Sequence, residues 1–103
     1  MVKVLGKADP AVDQLAIALA TYEKSNPGAE CWVSRYNPAS IRIKVVDPAF
    51  HGWSKGKRHD HAYSWLNGLA EDVLAQISIL LCLEPGEHTL MDLEFHDPVR
   101  SWL

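Results

Sequence analysis

The chain has 103 residues, 48% apolar and 22% charged, with a formal net charge of −3. That length fits one domain, within the usual range of roughly 50–200 residues, with a core that needs no disulfide staple. The composition is that of a soluble globular protein. No apolar run approaches the ~20 residues that span a bilayer. Met1 to Lys7 is too short and too quickly polar for a signal peptide, so a cytoplasmic location without membrane contact is expected.

The first predicted element begins at Asp9-Pro10, an N-cap followed by proline at the first helical position. Val12, Leu15, Ala16, Leu19 and Tyr22 recur at helical spacing. The helix should stop at Ser25, because a residue before proline is pushed out of the helical region. Ala29 to Asn37 then reads as a strand, with Cys31, Val33 and Arg35 alternating against Trp32, Ser34 and Tyr36. Ser40 to Asp47 reads as a second strand, with Ile41, Ile43 and Val45 inward and Arg42 and Lys44 outward. The short link Asn37-Pro38-Ala39 makes the two an antiparallel hairpin.

Asp60 is a candidate cap for a second helix, with an apolar stripe of Ala62, Trp65, Leu66, Leu69 and Val73. Gly68 weakens its middle by up to ~1 kcal/mol relative to alanine. Ile77 to Leu83 fits either a continuation of that helix or a buried strand. The strand is favoured: the run is short, β-branched residues open it and Pro85-Gly86 closes it. Beyond it the chain fits a fourth strand or, as we prefer, a short helix from Pro85 followed by an extended tail. The expected fold class is α+β: an α-β-β-α-β order with a three-stranded sheet, two helices on one face and a C-terminal appendage. It forms one domain over residues 1–103, with its core at about 9–85 and its tail at 86–103.

Charge is distributed unevenly. Residues 1–68 carry nine Lys/Arg and six Asp/Glu, whereas residues 69–103 carry one Arg and seven Asp/Glu. A generic nucleic-acid binder shows a basic stripe and usually a high pI. Here the basic signal is local, in Asp47-Pro48-Ala49-Phe50-His51-Gly52-Trp53-Ser54-Lys55-Gly56-Lys57-Arg58-His59. This segment crowds cations where the positive end of a helix macrodipole favours anions. Trp53, Lys55, Lys57, Arg58 and His59 are therefore the candidate contacts for an anionic or acidic partner.

Several sharper readings of the segment fail on spacing. Gly52 to Arg58 is one residue short of a P-loop, and Arg58 stands where Ser or Thr must reach magnesium, which excludes nucleotide hydrolysis. Gly52 and Gly56 miss the Gly-x-x-Gly spacing of a KH loop by one. His59 and His61 are two apart, so on a helix they point to different faces, and His51 adds no zinc pattern. Cys31 and Cys82 form no CxxC pair and read as small buried hydrophobes. No Ser, Cys or carboxylate constellation marks an enzyme.

Phe50-His51-Gly52 followed by Arg58-His59, after the strand Ile43-Lys44-Val45-Val46-Asp47 and before Leu66 to Val73, resembles the BolA-like family, whose fold is a variant of the type II KH fold. The resemblance covers roughly residues 9–88. It departs from the family at Asn37-Pro38-Ala39-Ser40, which is too short for the loop that carries a second ligand in part of the family, and at Asp60, where a second arginine is usual. The resemblance implies a protein-interaction or adaptor role with a monothiol glutaredoxin. It also implies that His59 ligates a two-iron two-sulfur (2Fe-2S) cluster shared with that partner. A nucleic-acid-binding regulator using the basic loop 52–59 is the first alternative. A structural homodimer, through the face bearing Trp32, Tyr36, Arg42 and Lys44 or through an edge strand, is the second.

Overall fold

In the computed structural model, residues 1–89 are described. The elements in chain order are β1 (Lys3–Leu5), α1 (Pro10–Ser25), β2 (Glu30–Asn37), β3 (Ser40–Val46), a single 3₁₀ turn (Pro48–Phe50), α2 (Lys55–Tyr63), α3 (Glu71–Leu74) and β4 (Ile77–Leu83). The class is α+β, with three α-helices and one mixed four-stranded sheet in the order β1-β2-β3-β4.

The local signals for α1 act as expected. The Asp9 carboxylate accepts from the Val12 N–H at 3.0 Å, and Pro10 occupies the first turn. Val12, Leu15, Leu19 and Tyr22 point into the core, each fully buried. β2 and β3 form the expected antiparallel hairpin, with Cys31 opposite Val45 and Val33 opposite Ile43. A bulge between Arg35 and Asn37 takes up the register shift at its tip. β4 spans Ile77–Leu83 and runs parallel to β3.

Three expectations need correction. The sheet has four strands rather than three, because Lys3–Leu5 pairs parallel to β2 at its outer edge. The second helix starts six residues earlier than a cap at Asp60 implies: Ser54 is the N-cap, accepting from the Lys57 N–H at 3.2 Å. It also ends early, at Tyr63. The Ser64 hydroxyl donates to the His61 carbonyl at 2.6 Å, and residues 64–68 form turns before the short α3. A side chain that competes for helix carbonyls, followed by Gly68, accounts for the break. Pro85-Gly86 form a turn rather than a helix start, with Gly86 at φ +85°. The rest of the tail reading, from residue 90, lies outside the described residues.

The core lies between the helices and one sheet face. Cys31, Val33, Ile41, Ile43 and Val45 meet Val12, Leu15, Leu19, Tyr22, Phe50, Ala62, Leu66 and Val73 there. Cys31 and Cys82 both flank Val45, one on each side of β3. Two strand spacings, about 9–10 Å, separate them. That exceeds disulfide reach, and both are free thiols.

Candidate functional site

The loop from β3 to α2 is set from below by a buried polar pair. Asp47 is 1% exposed. Its carboxylate accepts from the Tyr22 hydroxyl at 2.5 Å and from the Ala49 N–H at 2.9 Å. The second bond caps the 3₁₀ turn, which drops Phe50 into the core. Burial first, and the Asp47 carboxylate second, push the Tyr22 hydroxyl far above its ordinary pKa. Gly52, at φ +80°, then reverses the chain in a conformation that suits glycine.

This scaffold holds the basic segment in the first turns of α2. Lys55, Lys57 and His59 are exposed, and no acid lies in the first turn. Lys57 Nζ sits over the Trp53 ring, 4.3 Å from its centroid. Trp53 is half-buried, tilted against Phe50 at 5.8 Å and edge-on to His61 at 5.3 Å. The indole therefore works as a platform for Lys57 and packs against Phe50 and His61. A Cβ added at Gly56 would meet nothing within 4 Å, so the helix surface between Lys55 and Lys57 is open.

Arg58 differs from its neighbours. It is 7% exposed. Its guanidinium donates to the Trp53 carbonyl at 3.2 Å and pairs with the Glu87 carboxylate at 2.7 Å. It thus ties the start of α2 to the turn after β4. His51 does the same from the loop, its Nδ1 2.8 Å from the Glu84 carboxylate. The Glu84 N–H bond to the Glu87 carboxylate, and next the Arg58 hydrogen bond, hold Glu87 below the usual carboxylate range against some desolvation. Part of the acidic complement of the basic segment is therefore internal.

The two histidines of the segment, and His61 just after it, separate by their bonding. His51 is engaged by Glu84, and His61 lies 3.2 Å from the Asn26 side-chain oxygen. His61 also packs edge-on against Tyr22 and Phe50. His59 stacks on Tyr63, with centroids 5.9 Å apart and planes 10° from parallel. Among the described residues, neither of its ring nitrogens has a hydrogen-bond partner. That stack joins positions i and i+4 of α2, a pairing legible from the spacing alone. The roles of Glu84 and Glu87 were not read from the sequence. Their signal was two acids three apart around Pro85-Gly86, where a turn lets one cap the other's backbone.

No three His, Cys, Asp or Glu side chains among the described residues gather to hold a metal ion. Cys31 and Cys82 are also poor ligand candidates, since burial drives both thiols up to about 12. A single exposed imidazole fits a cluster only as one ligand among others that a partner supplies. Comparison with protein-family models, curated proteins and solved structures finds no match to this chain.

Proposed function

We propose that the protein is a small adaptor module of BolA-like type, and that Trp53, Lys55, Lys57 and His59 at the start of α2 form its contact with an acidic partner protein. The observation that carries this reading is His59, exposed on a basic helix turn, with neither ring nitrogen hydrogen-bonded among the described residues. Lys55 stands one helical turn before it on the same face, and Lys57 lies on a different face over Trp53, both in a first turn where the macrodipole already attracts anions. The order of β2, β3, α2 and β4, with both longer helices on one sheet face, supports the resemblance in outline.

The partner implied by the resemblance is a monothiol glutaredoxin. Its 2Fe-2S cluster would take His59 as the ligand from this chain. Exchange of thiolate for imidazole raises a cluster's potential. The chain's own residues supply position and charge: the Tyr63 ring orients the imidazole, Arg58 anchors the helix and Lys57 attracts the acid. Calorimetric titration with a cluster-loaded monothiol glutaredoxin tests the reading. We expect a 1:1 complex whose affinity falls at least tenfold in Lys57→Glu and weakens with salt. Absence of any complex with the wild-type chain rejects it. Salt-sensitive binding of a single-stranded oligonucleotide instead supports the nucleic-acid alternative.

A further inference from the structure

An open cavity of about 350 Å³ is lined by Lys7, Asp9, Arg35, Asn37 and Pro38. Three parts of the chain build it: the segment leaving β1, the start of α1 and the tip of the β2–β3 hairpin. The loop to α2 leaves the opposite end of β3, so the cavity and the basic segment are separate surfaces.

The floor is a closed ion pair. Gly6, at φ +75°, turns the chain out of β1 and brings Lys7 to the cavity. The bulge between Arg35 and Asn37 breaks the hairpin register, and a bulge re-aims the side chains beside it. The Arg35 side chain is only 10% exposed. Its Nε and Nη2 donate to the two Asp9 oxygens at 2.9 and 3.1 Å, and its Nη1 donates to the Asn37 and Pro38 carbonyls at 3.2 and 3.3 Å. Such two-point pairing fixes orientation as well as charge. Asp9 also accepts from the Val12 N–H at 3.0 Å, so that helix donor is used internally.

What is left over is donors. Among the described residues, exposed Lys7 has no ion pair or hydrogen bond. The Asn37 side-chain oxygen accepts from the Ala39 N–H at 2.8 Å, which leaves its NH₂ group without a partner among the described residues. An ammonium and a primary amide present donors that only acceptors can satisfy. With Arg35 and Asp9 cancelling, the cavity keeps one positive charge, that of Lys7. Its volume lies at the small end of the ~300–1,000 Å³ of small-molecule sites. That leaves room beyond a charged group, and Pro38 supplies an apolar wall.

We propose that this cavity binds a small organic monoanion, its carboxylate held by Lys7 and the Asn37 amide and its body packed toward Pro38. The Arg35–Asp9 pair holds the walls in place and is not itself a contact for the charge. A phosphate monoester, closer to a dianion at neutral pH, is less well matched to a single lysine.

NMR of the full-length chain, titrated separately with benzoate, acetate and inorganic phosphate, tests this. Benzoate should give saturable shifts at Lys7, Asn37 and Ala39 and none at Lys55 or Lys57. Acetate, which leaves the body of the cavity empty, should bind about threefold more weakly or worse. Lys7→Glu should lower benzoate affinity by about tenfold or more, whereas Lys7→Arg, which keeps the charge, should retain binding. Asn37→Asp keeps an acceptor for the Ala39 N–H but removes the amide donors, and should also weaken binding. Unchanged Val33 and Ile43 signals will show that each variant is folded. No saturable shift with benzoate overturns the proposal, as do equal shifts at Lys7 and Lys55 or benzoate affinity unaltered in folded Lys7→Glu. Tighter binding of phosphate than of benzoate overturns the choice of an organic carboxylate.

Discussion

Single residues carry the site through what they are bonded to. The Tyr22–Asp47 pair is fully enclosed, 25 residues apart in sequence, and joins α1 to the loop that delivers the basic segment. Tyr22→Phe leaves the Asp47 carboxylate buried without that donor. A hydrogen bond to a charged group contributes roughly 1.5–3 kcal/mol, so the variant should lose about that much in denaturant unfolding. The thiols are set by burial: with Cys31 and Cys82 pushed up to about 12, neither should react with a thiol reagent at neutral pH until the chain unfolds. Rapid modification of either in the native state would contradict this placement. Sequence reading selected His59 from its motif. It did not distinguish Arg58 from Lys57, because burial of one cation and exposure of the next depend on the distant Glu87.

At the scale of elements, α2 combines a stable frame with an electrostatically costly start. Lys57 at the third helical position faces the positive end of the dipole, worth about 0.3–1 kcal/mol, but also lies on Trp53, a contact of similar size at about 0.5–1 kcal/mol. In Lys57→Glu the two changes oppose each other. Stability should stay within about 0.5 kcal/mol of wild type while partner affinity drops. A collapse in stability would mean that Lys57 is structural rather than a contact. Ser54→Ala removes the cap and should cost about 1 kcal/mol. α1, β2, β3 and β4 were legible because each carries its own period and stop signals, Asp9-Pro10 and Asn26-Pro27 among them. The start of α2 was missed because Ser54 and Asp60 are both acceptable caps, and only the Lys57 N–H shows which is used. β1 was missed because three residues have no readable period, and its partner Trp32–Ser34 lies far along the chain.

Across the whole molecule, charge pairs join elements that are remote in sequence. Asp9 caps α1 and pairs with Arg35 on β2 at 2.8 Å, and Glu87 closes the turn after β4 onto Arg58. Both carboxylates lie below their ordinary values: Asp9 through the Val12 N–H first and Arg35 next, Glu87 through the Glu84 N–H first and Arg58 next. A depressed folded-state pKa stabilises at pH above the unfolded value, about 3.9 for Asp and 4.3 for Glu, and the gain is lost as pH falls through the folded value. The unfolding midpoint should therefore be flat above about pH 5 and fall below it, with a shallower fall in Glu87→Gln. The α+β class and the helices-on-one-face layout could be read from the periodicities. The burial of Lys44 on the outer sheet face could not, because Arg42 and Lys44 look solvent-facing in a strand pattern.

His59, an exposed imidazole on a basic helix turn with no hydrogen-bond partner among the described residues, is the central claim. The visible circular dichroism of a cluster-loaded monothiol glutaredoxin, recorded while the wild-type chain is added, tests it most directly. A new spectrum that saturates at one chain per cluster, and that His59→Ala fails to produce while still binding the glutaredoxin, is the predicted result. The same new spectrum with His59→Ala, or none with the wild-type chain, would contradict it.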